Sequence, residues 1–221
     1  PNCVQPVEFF KDDTSRKCNH CGHRFVNPNM DFGCAAYCQY AEQCLGTLPE
    51  EIRVQKEDLL KDKVAVEMKR TFKRDFKRIG QATRRARYAE RIAGKARGTL
   101  PVVLCAAYLR DIGAPQAFQK YGDTSEAHLE QESPVVARAI LTALQAKDPL
   151  IDAVCTIVGH HQAPGADAPP DLKIVCDADW VAQMEEGLKS QPLDDDQLSD
   201  RIEAELLTAA GKEEARAVLL R

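Results

Sequence analysis

Through most of the chain, apolar residues recur every three or four positions, which is the spacing of one face of an α-helix. The first stripe comprises Val64, Met68, Phe72, Phe76 and Ile79, with Gly80 as its predicted break. Further helices are predicted over 82–93, 100–113, 133–144, 149–161, 171–186 and 198–220, the last broken near Gly211. Pro101, Pro134 and Pro149 each stand where a helix start tolerates proline. No alternating strand pattern exceeds four residues here, so the body is predicted to be all-α.

The first 46 residues have a different pattern, rich in Cys, Asn, Gly and aromatics and poor in aliphatics. They contain six of the nine cysteines: Cys3, Cys18, Cys21, Cys34, Cys38 and Cys44. Such a segment cannot build a core alone and usually needs a metal or a cross-link. We therefore predict a Cys-rich, metal-stabilised module over 1–48 and a helical domain over 49–221. Cys105, Cys155 and Cys176 lie in apolar segments and are predicted to be small core residues.

The stretch "CNHCGHRF" (18–25) has the two-residue Cys spacing and the following glycine of a metal knuckle. Cys34 and Cys38 are four residues apart and would share a face of a short helix. Cys18, Cys21, Cys34 and Cys38 would satisfy tetrahedral zinc, with Cys3 or Cys44 as alternates. The same thiolates could instead hold a [4Fe-4S] cluster. The sequence leaves zinc and iron–sulfur open.

Composition narrows the class of protein. The chain has 221 residues, 44% of them hydrophobic, and a formal net charge of −4. No apolar run approaches the roughly 20 residues that span a bilayer, and the N-terminus shows no basic-then-apolar signal. We expect a cytoplasmic protein that does not enter a membrane.

Charge is concentrated in one region, since residues 61–97 contain 14 Lys/Arg and 4 Asp/Glu. The favoured interpretation is a solvated face that docks against the acidic remainder of the chain or a protein partner. A phosphorylated small molecule or nucleotide is a second candidate. Nucleic acid is disfavoured because no exposed aromatics are interleaved and no reading motif is present.

Five short pieces occur in order along the helical body: "RIGQATRRARYAERI" (78–92), "AAYLRDIG" (106–113), "HLEQESPVVARAIL" (128–141), "IVGHH" (157–161) and "KIVCDADW" (173–180). This succession resembles the HD-domain superfamily of metal-dependent phosphohydrolases, over roughly residues 60–221. The resemblance implies an HD-type helical bundle. It also implies a site in which a bound divalent cation polarises a phosphoryl oxygen and supplies hydroxide near neutral pH.

In that family the ligands are an early His, a His-Asp pair and a later Asp, so the resemblance places them in this chain as follows. The first His falls on Gln81, and the pair falls on Arg110 and Asp111. The late aspartate falls on Asp179, with Asp177 as a less favoured alternative. Accessory positions fall on His128, His160 and His161.

Two of the four central ligands are therefore replaced, and arginine cannot bind a metal because its guanidinium stays protonated. One hypothesis is that Arg110 occupies the metal position and neutralises Asp111 and Asp179. The protein would then be a catalytically degenerate member that binds a ligand, senses redox state or regulates a partner. The alternative is an active phosphohydrolase of a nucleotide or other phosphoester, with manganese, iron or nickel in a rearranged site. In that case His160 or His161 would bind the ion or carry protons, and Arg110 would hold the phosphate.

Overall fold

The structure is a computed structural model that describes residues 3–10, 13, 15–27, 35, 41, 50–160, 164–165 and 167–220. Contacts divide the chain into two compact units, residues 1–59 and residues 60–221. The domain boundary predicted after residue 48 stays a prediction.

The N-terminal unit contains a short antiparallel hairpin. Strand β1 (Ser15–Lys17) pairs with β2 (Arg24–Val26), with Ser15 opposite Val26. The connecting turn contains Gly22 at a φ of 71°, a left-handed conformation that favours glycine. This turn is the segment that holds the Cys-x-x-Cys pair.

The rest of the described chain is helical, as predicted. Its helices are α1 (Glu50–Phe72), α2 (Phe76–Lys95), α3 (Leu100–Leu109), α4 (Ala114–Tyr121), α5 (Glu126–Ala143), α6 (Asp148–Val158), α7 (Pro170–Gly187), α8 (Asp195–Glu205) and α9 (Ala209–Leu219). The all-α fold class is therefore confirmed.

Helix α3 is the centre of the body because seven of its ten residues are buried and apolar. It packs against α2, α6 and α7. The helix stops at Leu109, and a turn leads to Gly113, whose backbone lies against Glu132 and Ser133 of α5 so closely that a Cβ would not fit. This contact fixes the turn that carries Arg110 and Asp111.

The first apolar stripe was predicted to lie on a single helix, but its residues fall on two helices, α1 and α2. Val64, Met68 and Phe72 are buried, but Phe76 is 76% exposed. The chain breaks at residues 73–75 and not at Gly80, because Lys73 adopts a φ of 54°. The Asp75 carboxylate then accepts the Arg78 N–H and caps the start of α2.

Two other predicted boundaries were wrong. Helix α5 begins at Glu126, so Pro134 lies inside it and does not open it. The C-terminal break falls at residues 206–208, and Gly211 lies inside α9. The break is held by Thr208, whose side chain accepts the N–H of Gly211 and caps α9.

Four basic residues of α2 face the carboxylates of two later helices. Arg84 and Arg87 pair with Glu186 and Glu185 of α7, at 2.7 and 3.4 Å. Two further pairs join α2 to α9, namely Arg91–Glu214 and Lys95–Glu213. The interpretation of a basic face docked on the acidic remainder is thus confirmed for α2. Within the described ranges, no helix combines the length and the apolar character needed to cross a membrane.

Candidate functional site

A cavity of about 170 Å³ lies where α2, α5 and α7 meet the turn after α3. Charged and amide side chains dominate its wall: Arg78, Gln81, Arg85, Arg110, Asp111, Glu126, Asp179 and Gln183, joined by Leu129 and Ala182. The structure therefore brings together Gln81, Arg110, Asp111 and Asp179 of the predicted site.

The centre of this wall is Arg85, which the sequence analysis did not single out. Its Nη2 donates to Asp111 Oδ2 at 2.6 Å, and its Nε donates to Asp179 Oδ1 at 2.5 Å. Its Nη1 donates to the carbonyl of Ala107 at 3.2 Å. One guanidinium thus bridges the two aspartates that the resemblance assigned to a metal.

Arg85 reaches this position from the buried face of α2. It is only 3% exposed and shares that face with Ala82, Ala86 and Ala89. Burial by itself lowers the pKa of the guanidinium, but the charges of Asp111 and Asp179 and their hydrogen bonds outweigh it and raise the pKa above its ordinary value. Arg85 is therefore a permanent buried cation.

Arg110 is a second buried cation in the same wall. Its Nε lies 3.2 Å from Asp179 Oδ2, so this part of the predicted neutralisation is present. Its Nη1 also donates to the carbonyl of His160 at 3.3 Å. Gln183, one helical turn after Asp179, donates from Nε2 to Asp179 Oδ2 at 2.8 Å. The Asp179 carboxylate therefore accepts hydrogen bonds from Arg85 and Gln183 and forms an ion pair with Arg110.

Asp177, the less favoured candidate, has a structural role. Its carboxylate accepts the backbone N–H groups of Leu207 and Thr208, at 2.8 and 2.9 Å, and the Thr208 hydroxyl at 2.6 Å. Burial raises the pKa of Asp177, and these donors oppose that shift. Asp177 fastens the start of α9 to α7, and it is not among the residues that line the cavity.

The predicted accessory histidines have other partners where they are described. His160 is exposed, and its Nδ1 lies 2.6 Å from the carbonyl of Thr156. His128 Nδ1 lies 2.6 Å from Asp123 Oδ1, and its ring stacks on Tyr121 with centroids 3.9 Å apart. His161 lies outside the described residues.

The cysteines of the helical body match their predicted role. Cys105 and Cys155 are buried, and Cys176 is partly buried and packed against the core. Burial raises the pKa of the Cys105 thiol to about 12, so this thiol stays protonated near neutral pH.

In the N-terminal unit, three thiols converge on the hairpin turn. Cys3, Cys18 and Cys21 have sulfur atoms that all lie within 4.8 Å of one another. Cys3 Sγ and Cys18 Sγ are 3.6 Å apart. Cys3, predicted only as an alternate, is thus a full member of this group, while Cys34, Cys38 and Cys44 lie outside the described residues.

The turn directs backbone N–H groups at the Cys18 sulfur. Hydrogen bonds from Cys21 and His20 are the main cause that lowers the pKa of Cys18 to about 7. The backbone closes the same loop, because the Cys18 N–H donates to the carbonyl of His23 and the Gly22 N–H donates to the carbonyl of Cys18. This arrangement favours a thiolate, the form that binds metal.

Comparison with protein-family models gives a match to the HD domain over residues 82–184. The matched range starts one residue after Gln81 and includes Arg85, Arg110, Asp111 and Asp179. This match confirms the resemblance to the HD domain over residues 82–184. Searches of curated proteins and of solved structures give no match.

Proposed function

We propose that this protein is an HD-domain protein whose pocket binds a ligand without metal-dependent hydrolysis, in a sensing or regulatory role. One observation carries the proposal. The Arg85 guanidinium lies between Asp111 and Asp179, within 2.6 Å of an oxygen of each. A fixed cation therefore bridges the two carboxylates that the resemblance assigns to a divalent ion.

The donors of this pocket do not fit the family's metal. The resemblance assigns the two histidine positions to Gln81 and Arg110, and a guanidinium offers no lone pair to an ion. Of the four central ligands that the resemblance implies, only Asp111 and Asp179 remain. Arg85 donates a hydrogen bond to one oxygen of each. A divalent ion would add two positive charges beside two arginines whose charges already balance the two carboxylates, which is unfavourable in a buried site.

The wall of the cavity supports a phosphorylated small molecule or nucleotide as the ligand class. It carries the guanidinium of Arg78 and the amide of Gln81, besides Arg85 and Arg110, which are paired with the two aspartates. Guanidinium groups bind phosphate oxygens with two parallel hydrogen bonds. Since no activated water is available from a metal, such a ligand would be bound and released unchanged.

The first experiment tests hydrolysis. Purified protein is incubated with p-nitrophenyl phosphate or bis-p-nitrophenyl phosphate and with manganese, iron or nickel. We expect no release of nitrophenol above the metal-only background. Turnover that disappears in Asp111→Asn would overturn the proposal and support the rearranged phosphohydrolase.

The second experiment tests ligand binding without metal. AMP or inorganic phosphate is titrated in the presence of EDTA while thermal unfolding is followed. We expect a rise in Tm that is reduced in Arg78→Met, because this arginine lines the cavity from the first turn of α2. Arg87→Met is the matched control, since Arg87 lies on the same helix but does not line the cavity. An unchanged Tm with both ligands would contradict this ligand class.

We propose separately that the cysteine module is a metal centre, with zinc or an iron–sulfur cluster as the candidates. The convergence of Cys3, Cys18 and Cys21 supports it. A segment with so few aliphatic residues gains stability from a metal that links its turns.

A further inference from the structure

We infer that the cysteine module binds a single tetrahedral ion, with Cys3, Cys18 and Cys21 as three of its ligands, and not an iron–sulfur cluster. This inference rests on the proposal that the module binds metal. It is independent of the HD pocket.

The spacing of the sulfur atoms carries the inference. Zinc–sulfur bonds of about 2.3 Å in a tetrahedron place neighbouring thiolates about 3.8 Å apart. Cys3 Sγ and Cys18 Sγ are separated by 3.6 Å, and all three sulfurs lie within 4.8 Å of one another. Each cysteine of a four-iron cluster binds a different iron, and at most two cysteines of a two-iron cluster share one iron. Three thiolates that lie this close to one another therefore match neither cluster.

The backbone around the pair supports the same conclusion. Cys18 and Cys21 lie at the turn between β1 and β2, with Gly22 supplying the left-handed residue that closes it. The Cys18 N–H donates to the carbonyl of His23, and the Gly22 N–H donates to the carbonyl of Cys18. Cys18 and Cys21 are thereby held on one short turn, where both can contact a single ion.

Cys3 completes the group from a segment before the hairpin. Fifteen residues separate Cys3 from Cys18, yet their sulfurs are 3.6 Å apart. An ion held here would tie the N-terminal segment to the hairpin. Within the described residues the group has three members, so the fourth ligand is not assigned.

The experiment uses the full chain, purified under reducing and oxygen-free conditions. Metal and acid-labile sulfide are measured, and cobalt is then exchanged for the native ion. We expect one ion per chain, no sulfide, and intense cobalt bands of a tetrahedral thiolate site. Cys3→Ser should weaken metal affinity at least roughly 100-fold, because a thiolate ligand is lost. Cys155→Ala is the matched control and should leave affinity unchanged, since Cys155 is buried in the helical body.

The failures are distinguishable. Iron with labile sulfide and broad visible absorption would overturn the single-ion inference and leave the proposed metal centre standing. One ion with unchanged affinity in Cys3→Ser would overturn the role of Cys3. Protein without metal in this module, even after zinc is added, would overturn both this inference and the proposed metal centre.

Discussion

The HD pocket and the cysteine turn both gather potential metal ligands, but they differ in what faces those ligands. In the pocket, Asp111 and Asp179 face the guanidinium of Arg85 at hydrogen-bond distance. In the turn, the sulfurs of Cys3 and Cys18 face each other at 3.6 Å. The carboxylates already have their counter-charge, whereas thiolates packed this closely would repel each other without an ion between them.

This difference shows that counting donors does not identify a metal site. Two buried carboxylates on adjacent elements are a common start for a divalent-ion site. A protein side chain can supply the same positive charge permanently, and then the ligands are structural. Whether protein cations already contact the donor atoms decides between a metal site and a structural ion pair.

The largest expected effect is the removal of metal. A strong chelator should unfold the cysteine module, because a structural thiolate site contributes on the order of 10 kcal/mol to folding. Limited proteolysis with mass spectrometry should then show new cuts within residues 1–48. Helices α2 to α9 should stay protected, and their thermal unfolding should not change.

This prediction has two separate controls. Readdition of zinc should restore protection of residues 1–48, whereas magnesium, which prefers oxygen ligands, should not. Loss of protection in residues 82–184 on chelation would contradict this difference between the two sites, because it would mean that the pocket also depends on a metal.

The second effect concerns the buried cation. Arg85→Met should lower the free energy of unfolding by about 3–5 kcal/mol, because it leaves buried carboxylates without a bridging charge. Urea unfolding measures the loss. Arg87→Met is the control and should cost less than about 1 kcal/mol, since Arg87 is half-exposed and its pair with Glu185 is long, at 3.4 Å.

The pH dependence of that loss identifies its cause. Without Arg85, the charged form of the two buried carboxylates should be less favourable in the folded chain than in the unfolded chain. An acid with a raised folded-state pKa destabilises the fold above that pKa, and the penalty disappears as pH falls toward the unfolded pKa. The difference between Arg85→Met and wild type should therefore shrink between pH 7 and pH 4. A constant difference would indicate a packing defect instead.

Much of the fold could be predicted because helical periodicity depends on local sequence. The wrong boundaries have identifiable causes. Pro134 looked like a helix start, but a helix can contain proline where its lost hydrogen bond is tolerated. The true break near residue 207 depends on Asp177, which is thirty residues earlier and accepts the N–H of Leu207. Such a long-range partner leaves no trace in the local pattern.

The pocket could be predicted in its members but not in its central contact. Arg85 lies in the run "RRARYAER" (84–91), where it looks like its solvated neighbours. One signal was present, because Arg85 is four residues after Gln81 and falls among Ala82, Ala86 and Ala89. An arginine on an otherwise apolar helix face needs a buried partner. Which carboxylates it meets depends on how α2, α3 and α7 pack.

The third prediction introduces the two histidines that the resemblance implies. Gln81→His with Arg110→His should not create tight metal binding, because Arg85 still bridges the two aspartates. Adding Arg85→Leu should free both carboxylates and raise affinity for manganese or nickel by about 100-fold, or about 2.7 kcal/mol. Calorimetry on the zinc-loaded proteins measures this without interference from the cysteine module. Equal affinity of the double and triple variants would show that Arg85 does not block the site.

The smallest effect separates the two buried arginines. Arg110→Met should cost about 1–2 kcal/mol, less than Arg85→Met, because Asp179 keeps its contacts to Arg85 and Gln183. Urea unfolding of both variants at pH 7 gives the comparison directly. An equal or larger cost for Arg110→Met would make Arg110 the principal counter-charge, as the sequence alone suggested. A smaller cost for Arg110→Met, together with a cost of about 3–5 kcal/mol for Arg85→Met, would assign that role to Arg85. Among the described ion pairs, only the Arg85 guanidinium lies within 2.6 Å of both aspartates.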